Sequence, residues 1–172
     1  SDLPLTDHNG RIAKQHSASS FVVDGNSVQI STKDSGSGLI FYTDLDVSDY
    51  ASLKFTIVNR RDAFMMMSVQ IQDSVFNANN NAQAKNALSD RLMIFPNETR
   101  EVVIPLPAKL PYPEIYNGFR GMRNTPYSVD EHYSYDVDLS SVKLVKIKAF
   151  KHFDGADYSI CDLRFSKGEK AR

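Results

Sequence analysis

Short runs in which apolar and polar residues alternate dominate this chain, and alternation with period two marks a strand that buries one of its faces. Ser27-Val28-Gln29-Ile30-Ser31-Thr32 shows the pattern directly after the turn signal Asp24-Gly25-Asn26. Leu39-Ile40-Phe41-Tyr42 follows the glycine-serine stretch Asp34-Ser35-Gly36-Ser37-Gly38. Leu53, Phe55 and Ile57 fall on one face and Lys54, Thr56 and Val58 on the other. Phe64–Asp73 repeats the pattern, with Met67, Val69 and Ile71 against Ser68, Gln70 and Gln72. Further strands are predicted at Arg91–Phe95, Thr99–Leu106, Leu144–Phe150 and Tyr158–Phe165. Asn79–Leu88 is rich in asparagine and alanine but has almost no apolar stripe, so Phe76–Ser89 reads as a surface excursion with room for one helical turn. Asp46-Val47-Ser48-Asp49-Tyr50 and Asp136-Val137-Asp138-Leu139-Ser140-Ser141-Val142 both precede strands and read as tight corners. About eight or nine short strands separated by turns predict an all-β antiparallel sandwich or barrel.

Composition sets bounds on this picture. A chain of 172 residues fits one domain and buries roughly two-thirds of its unfolded surface. Its formal net charge of −1 gives no general attraction to nucleic acid or to an anionic membrane. No apolar run approaches the length of a membrane helix or resembles a signal peptide. The only cysteine, Cys161, has no internal disulfide partner, and its apolar surroundings predict a small core residue. The chain opens on Ser1-Asp2-Leu3 and closes on a polar string from Ser166 to Arg172, so it reads as a piece of a larger protein.

The segment Tyr116-Asn117-Gly118-Phe119-Arg120-Gly121-Met122-Arg123-Asn124-Thr125-Pro126-Tyr127 fits neither a regular helix nor a central strand. It combines aromatic faces, which stack on apolar or sugar-ring surfaces, with guanidinium forks, which bind anions or paired hydroxyls. A loop of this length either recognises something, packs on a partner, or plugs its own underside with its rings. Elsewhere the signatures of familiar chemistry are missing. There is no Gly-x-Ser-x-Gly, no HExxH, and no Walker or dinucleotide motif. His8, His16, His132 and His152 have no close pairing, and His132 reads as a surface loop residue. Asp130, Glu131, Asp136 and Asp138 form an acidic stretch that reads as a solvated loop, as ligands for a structural calcium ion, or as a carboxylate pair for glycoside cleavage. Arg60-Arg61 and Lys143, Lys146 and Lys148 give modest basic clusters, more simply solvated strand positions that deter aggregation than a nucleic-acid surface.

Saccharide recognition suits the remaining side chains better, because it needs flat rings beside amides and guanidinium groups. Eight tyrosines and ten phenylalanines are present with no tryptophan. Tyr112, Tyr116, Phe119, Tyr127, Tyr133 and Tyr135 fall in predicted loops, Asn59-Arg60-Arg61-Asp62 forms a polar turn, and Gln70 and Gln72 lie on the non-core face of their strand.

The order Tyr42-x-Asp44-Leu45-Asp46-Val47-Ser48-Asp49-Tyr50-x-x-Leu53-x-Phe55-x-Ile57-x-Asn59 resembles the carbohydrate-binding-module-like domain found ahead of the catalytic barrel in family 50 agarases. The strand ending Gln72-Asp73, the loop Gly121-Met122-Arg123-Asn124-Thr125-Pro126, and Asp138-Leu139-Ser140-Ser141-Val142-Lys143 leading into Ile147-Lys148-Ala149-Phe150 share the likeness, which runs from about Phe21 to Phe165. The Gly-Met-Arg-x-x-Pro element is its most specific part. No position matches the catalytic glutamates of those agarases, which lie in the barrel.

The resemblance implies an antiparallel jelly-roll β-sandwich over residues 21–166, behind an N-terminal extension (1–20) and ahead of a linker starting at 167. It implies a non-catalytic carbohydrate-binding module for a red-algal galactan, agarose or porphyran. A catalytic glycoside hydrolase domain would share the polypeptide, and the location would be secreted, periplasmic or cell-surface. No cofactor, nucleic acid or membrane is expected. The ligand-binding residues expected are Tyr112, Tyr116, Asn117, Phe119, Arg120, Arg123, Tyr127, Asn59, Arg60, Gln70 and Gln72. Arg120 and Arg123 have two open roles, holding sugar hydroxyls or a sulfate, or docking on the catalytic domain. Two other readings stay open: an adaptor that packs on a catalytic domain without binding sugar, and a small β-sandwich glycosidase or lyase using carboxylates of Asp130–Asp138.

Overall fold

Alternate residues from Leu53 to Ile57 and from Met65 to Ile71 are fully or almost fully buried, and the strands they define stack as two antiparallel sheets. This computed structural model describes residues 2–15, 20–33, 37–75, 86–107, 131–151 and 155–167, with the backbone alone for 131–135 and 151. One sheet contains β1 (Leu3–Pro4), β3 (Ser20–Asp24), β4 (Ser27–Thr32), β6 (Ser52–Asn59), β9 (Thr99–Pro105) and β12 (Ala156–Ser166). Its order is β3-β4-β12-β6-β9, and β1 adds to β12. The other sheet contains β2 (Gly10–Gln15), β5 (Gly38–Leu45), β7 (Met65–Asp73), β8 (Ala87–Ile94), β10 (Glu131–Tyr135) and β11 (Val142–Lys151). These lie in the order β10-β8-β7-β11-β5-β2. The result is the antiparallel jelly-roll β-sandwich that the alternation and the resemblance predict.

The core lies between the sheets. Val28, Ile30, Leu53, Phe55, Ile57, Val102, Ile104, Tyr158, Ile160 and Phe165 belong to strands of the first sheet; Leu39, Phe41, Met67, Val69, Ile71, Leu92, Val145 and Ile147 belong to the second. Tyr158 is buried, and its hydroxyl donates to the Ser37 carbonyl at 3.0 Å, so the phenol oxygen is satisfied. Burial pushes its phenol well above the ordinary tyrosine range.

The two aspartate corners have the same construction. The Asp46 carboxylate accepts from the Ser48 backbone N–H at 3.0 Å and from the Ser48 hydroxyl. Asp138 does the same for Ser140, and the Val47 N–H donates to the Leu139 carbonyl at 2.7 Å, joining the corners. Buried Asp73 accepts from the Val75 N–H at 2.9 Å and the Asp138 N–H at 2.8 Å, which ties the end of β7 to the entrance of β11.

The structure differs from the prediction mainly at sheet edges and strand ends. The first twenty residues, expected as an extension, supply β1 and β2 and open β3. Val22 and Val23 on edge strand β3 are about half exposed, so that strand has no alternation to read. β8 begins at Ala87, inside the expected surface excursion. β10 occupies part of the expected acidic loop, and His132 pairs with Asp90 in its ladder rather than sitting in a loop. Cys161 is a correction: it is half-buried, outside the core, with its sulfur 3.5 Å from the Ser27 hydroxyl.

Candidate functional site

The parity that buries Met67, Val69 and Ile71 turns Ser68 and Gln70 to the opposite face of β7. The ladders align the same face of the neighbouring strands. Ser68 lies opposite Arg91 of β8 and Lys148 of β11, and Gln70 lies opposite Ser89 and Lys146. On the far side of β11, Lys146 faces Ile40 and Lys148 faces Gly38 of β5. Ser68, Gln70, Arg91, Lys146, Lys148 and Phe150 line an open cleft of about 260 Å³ on this outer face.

Two rings frame the face. The Arg91 guanidinium lies 5.4 Å from the centroid of Phe150, and that of Arg11 lies 4.6 Å from Tyr42. Such stacking holds a guanidinium plane in place while its N–H edges stay available. Gln72, itself buried, donates from its side-chain amide to the Gln70 side-chain Oε1 at 2.7 Å and so orients the Gln70 amide at the cleft.

The cleft is electropositive. Lys146 and Lys148 project from the same face of β11 about 7 Å apart, and Arg91 stands about 10 Å away across two ladders. At that spacing the lysine pair repels by on the order of 1 kcal/mol in a half-solvated setting. Burial, and then the charge of Lys148, hold the Lys146 ammonium below the ordinary lysine range. Several cations elsewhere are paired: Lys143 with Asp44 at 2.7 Å, Arg60 with Asp157 at 2.6 Å and Arg100 with Glu98 at 2.7 Å. Among the described residues Arg91, Lys146 and Lys148 form no ion pair.

Of the residues expected to bind ligand, Gln70 lines this cleft and Gln72 braces it. Asn59 and Arg60 lie at the end of β6, in the other sheet, and the structure does not bring them to the cleft. Asn59 is 2% exposed. Its amide donates to the Ala63 and Phe95 carbonyls at 2.9 and 3.0 Å and accepts from the Arg61 N–H at 3.1 Å. That makes it a clamp for the turn and corrects the expectation of a ligand-facing amide. Arg60 grips the Asp157 carboxylate through two nitrogens and also donates to the Ser159 hydroxyl. Tyr112, Tyr116, Asn117, Phe119, Arg120, Arg123 and Tyr127 lie outside the described residues. Of the acidic stretch, Asp138 is engaged in its corner, and Glu131 is the backbone partner of Arg91. No group of three or more His, Cys, Asp or Glu side chains among the described residues is arranged to hold a metal ion.

Arg91, Ser68 and Phe150 were not singled out from the sequence, and Lys146 and Lys148 were read only as solvent-facing. Period two places Lys146, Lys148 and Phe150 on one face of β11, but their gathering around Gln70 depends on strand order. At the end of the sandwich where β6 turns into β7, Phe64 and Phe95 stand 52% and 47% exposed, with their rings 5.4 Å apart.

No protein-family model matches the chain, and no curated protein matches it. Solved structures do. An agarase, AgWH50C, superposes with a TM-score of 0.69 at 13% identity over 99% of this chain, which spans 25% of that one. The family 11 carbohydrate-binding module of the cellulosomal cellulase Lic26A-Cel5E of Clostridium thermocellum gives 0.53 at 13% identity, covering 100% of this chain and 98% of the module. A family 30 carbohydrate-binding module gives 0.51 at 12% identity, with coverage of 100% and 90%. At these identities the likeness is one of fold: the chain is a β-sandwich with the architecture of carbohydrate-binding modules, matched along nearly its full length by a quarter of an agarase chain.

Proposed function

We propose that this chain is a non-catalytic carbohydrate-binding module for a red-algal galactan, agarose or porphyran, and serves a glycoside hydrolase domain in the same polypeptide. The observation that carries the reading is the open cleft on the outer face of the second sheet, where the Gln70 amide, the Ser68 hydroxyl and the Phe150 ring stand together. An amide and a hydroxyl match the paired donors and acceptors of sugar hydroxyls, and a ring covers the C–H face of a pyranose. So shallow a site buries little apolar area and must desolvate many hydroxyls, so the affinity is modest. A galactan polymer does not cross a bilayer, and the protein accordingly works secreted, in a periplasm or on a cell surface.

Calorimetric titration with agarose and porphyran oligosaccharides tests this. Binding is expected, weakened several-fold by Gln70→Ala at the cleft and by Tyr116→Ala or Arg123→Ala if the loop contributes. A folded protein that gives no heat with any galactan overturns the reading, as does release of reducing ends by the chain alone.

A second reading has its own observation. The exposed Phe64–Phe95 pair is an apolar feature suited to docking on another domain. In that case Phe64→Ala with Phe95→Ala abolishes association with a separately expressed catalytic part and leaves sugar titrations flat throughout.

A further inference from the structure

Arg91, Lys146 and Lys148 are an expensive choice for a site that reads only neutral sugar. Three cations from β8 and β11, the two strands that flank β7, line one cleft, and among the described residues none of them has a carboxylate partner. A solvated surface normally intersperses both signs, as Lys143 with Asp44 and Arg164 with Asp2 do here. Glu131 is the nearest acidic position by register, as the backbone partner of Arg91 at the outer strand. The lysines face Ser68, Gln70, Gly38 and Ile40 across their ladders, all uncharged. Repulsion within such a group is relieved when an anion enters it.

We infer that this cleft binds a sulfated polysaccharide, with Arg91, Lys146 and Lys148 holding a sulfate ester while Gln70 and Ser68 bond hydroxyls of the sugar that bears it. The inference rests on the carbohydrate-binding reading and names the ligand class of the same site. Sulfate fits better than carboxylate. A sulfate ester presents three terminal oxygens, and the cleft is lined by three cationic donors, two on β11 and one on β8. Two of them are lysine ammonium groups, which bind as compact point charges without demanding the planar fork geometry of a carboxylate. Arg91, backed by the Phe150 ring, supplies the one oriented fork. The depressed Lys146 ammonium fits this arrangement, because a cation held among other cations and partly out of water gains most from a counter-charge.

The test is affinity electrophoresis and calorimetry of the whole chain against porphyran, the same porphyran after chemical desulfation, alginate, and a single-stranded oligodeoxynucleotide. The expected result is binding to porphyran at least about tenfold tighter than to the desulfated polymer, as two or three partly buried charge contacts provide. That ratio should shrink as salt is raised. Lys146→Gln with Lys148→Gln should bring it close to one, with an unchanged thermal midpoint showing that the fold survives; Arg91→Gln alone should lower it about threefold. Equal binding to sulfated and desulfated polymer overturns this inference and leaves the carbohydrate-binding reading intact. Alginate or the oligonucleotide binding as well as porphyran also overturns it, in favour of a general polyanion surface. Loss of binding to every glycan removes the underlying reading as well.

Discussion

Replacing Asn59 by alanine separates a structural amide from a ligand-binding one. The side chain is 2% exposed and makes three hydrogen bonds, to the Ala63 carbonyl at 2.9 Å, the Phe95 carbonyl at 3.0 Å and the Arg61 N–H at 3.1 Å. Each such bond contributes about 0.5–1.5 kcal/mol net, and the buried partners left behind have no side chain to replace it. The loss should be about 2–4 kcal/mol, which in a chain of this size lowers the melting temperature by about 5–15 °C. Asn59→Asp should cost at least as much at neutral pH, because a carboxylate would face two carbonyl oxygens in place of a donor. Burial and those carbonyls raise the folded-state pKa of such an aspartate above its unfolded value of about 3.9. Its contribution is therefore most favourable below that value and is lost as pH rises through the folded pKa. The Asp variant should recover part of its deficit at about pH 4. Differential scanning calorimetry at two pH values reads all of this, and titration with galactan reads binding. A midpoint within about 2 °C of the parent, with sugar affinity lost, would show that Asn59 contacts ligand and that its bonds hold nothing together.

Two further outcomes concern the scaffold. Tyr158→Phe removes the hydroxyl that donates to the Ser37 carbonyl and should cost about 1–2 kcal/mol by chemical denaturation. Burial raises the phenol pKa in the folded state, so its contribution is complete below the unfolded value of about 10 and declines as pH rises beyond it. The parent should lose stability above that pH more steeply than the Phe variant, and parallel curves would refute the assignment. Gly38→Ala sets a methyl group 2.1 Å from the Ile147 carbonyl oxygen and 2.6 Å from the Lys148 Cα. It should therefore lower the melting temperature by several degrees or more as β5 shifts off β11, and full retention of stability would mean that the ladder opens more easily than its register suggests.

Strands with one buried face were legible in the sequence, because their apolar residues recur at every second position. β4, β6 and β7 follow the predicted alternation closely. The edge strands β2 and β3 were not, since a strand that buries little has no reason to alternate. Chemical identity alone did not show what Asn59 and Arg60 touch within the fold. A polar turn suggested ligand contacts, whereas the fold directs the Asn59 amide into the backbone and locks Arg60 onto Asp157, almost a hundred positions later in the chain. The parity read for Gln70 holds: it lies on the non-core face of a strand whose Met67, Val69 and Ile71 are buried.

What the sequence by itself determined is an all-β antiparallel sandwich or barrel: its central period-two strands, its turn at Gly25, its two aspartate corners and the side of each of those central strands that faces the core. These are local matters, set by side-chain alternation and by short-range hydrogen bonds within a few residues. Tertiary structure alone decided the neighbours. The order β8-β7-β11-β5 carries Arg91, Ser68, Gln70, Lys146 and Lys148 onto one surface from separate parts of the chain. Strand order is set by how two whole sheets bury their inner faces against each other, so no stretch of sequence read alone contains it.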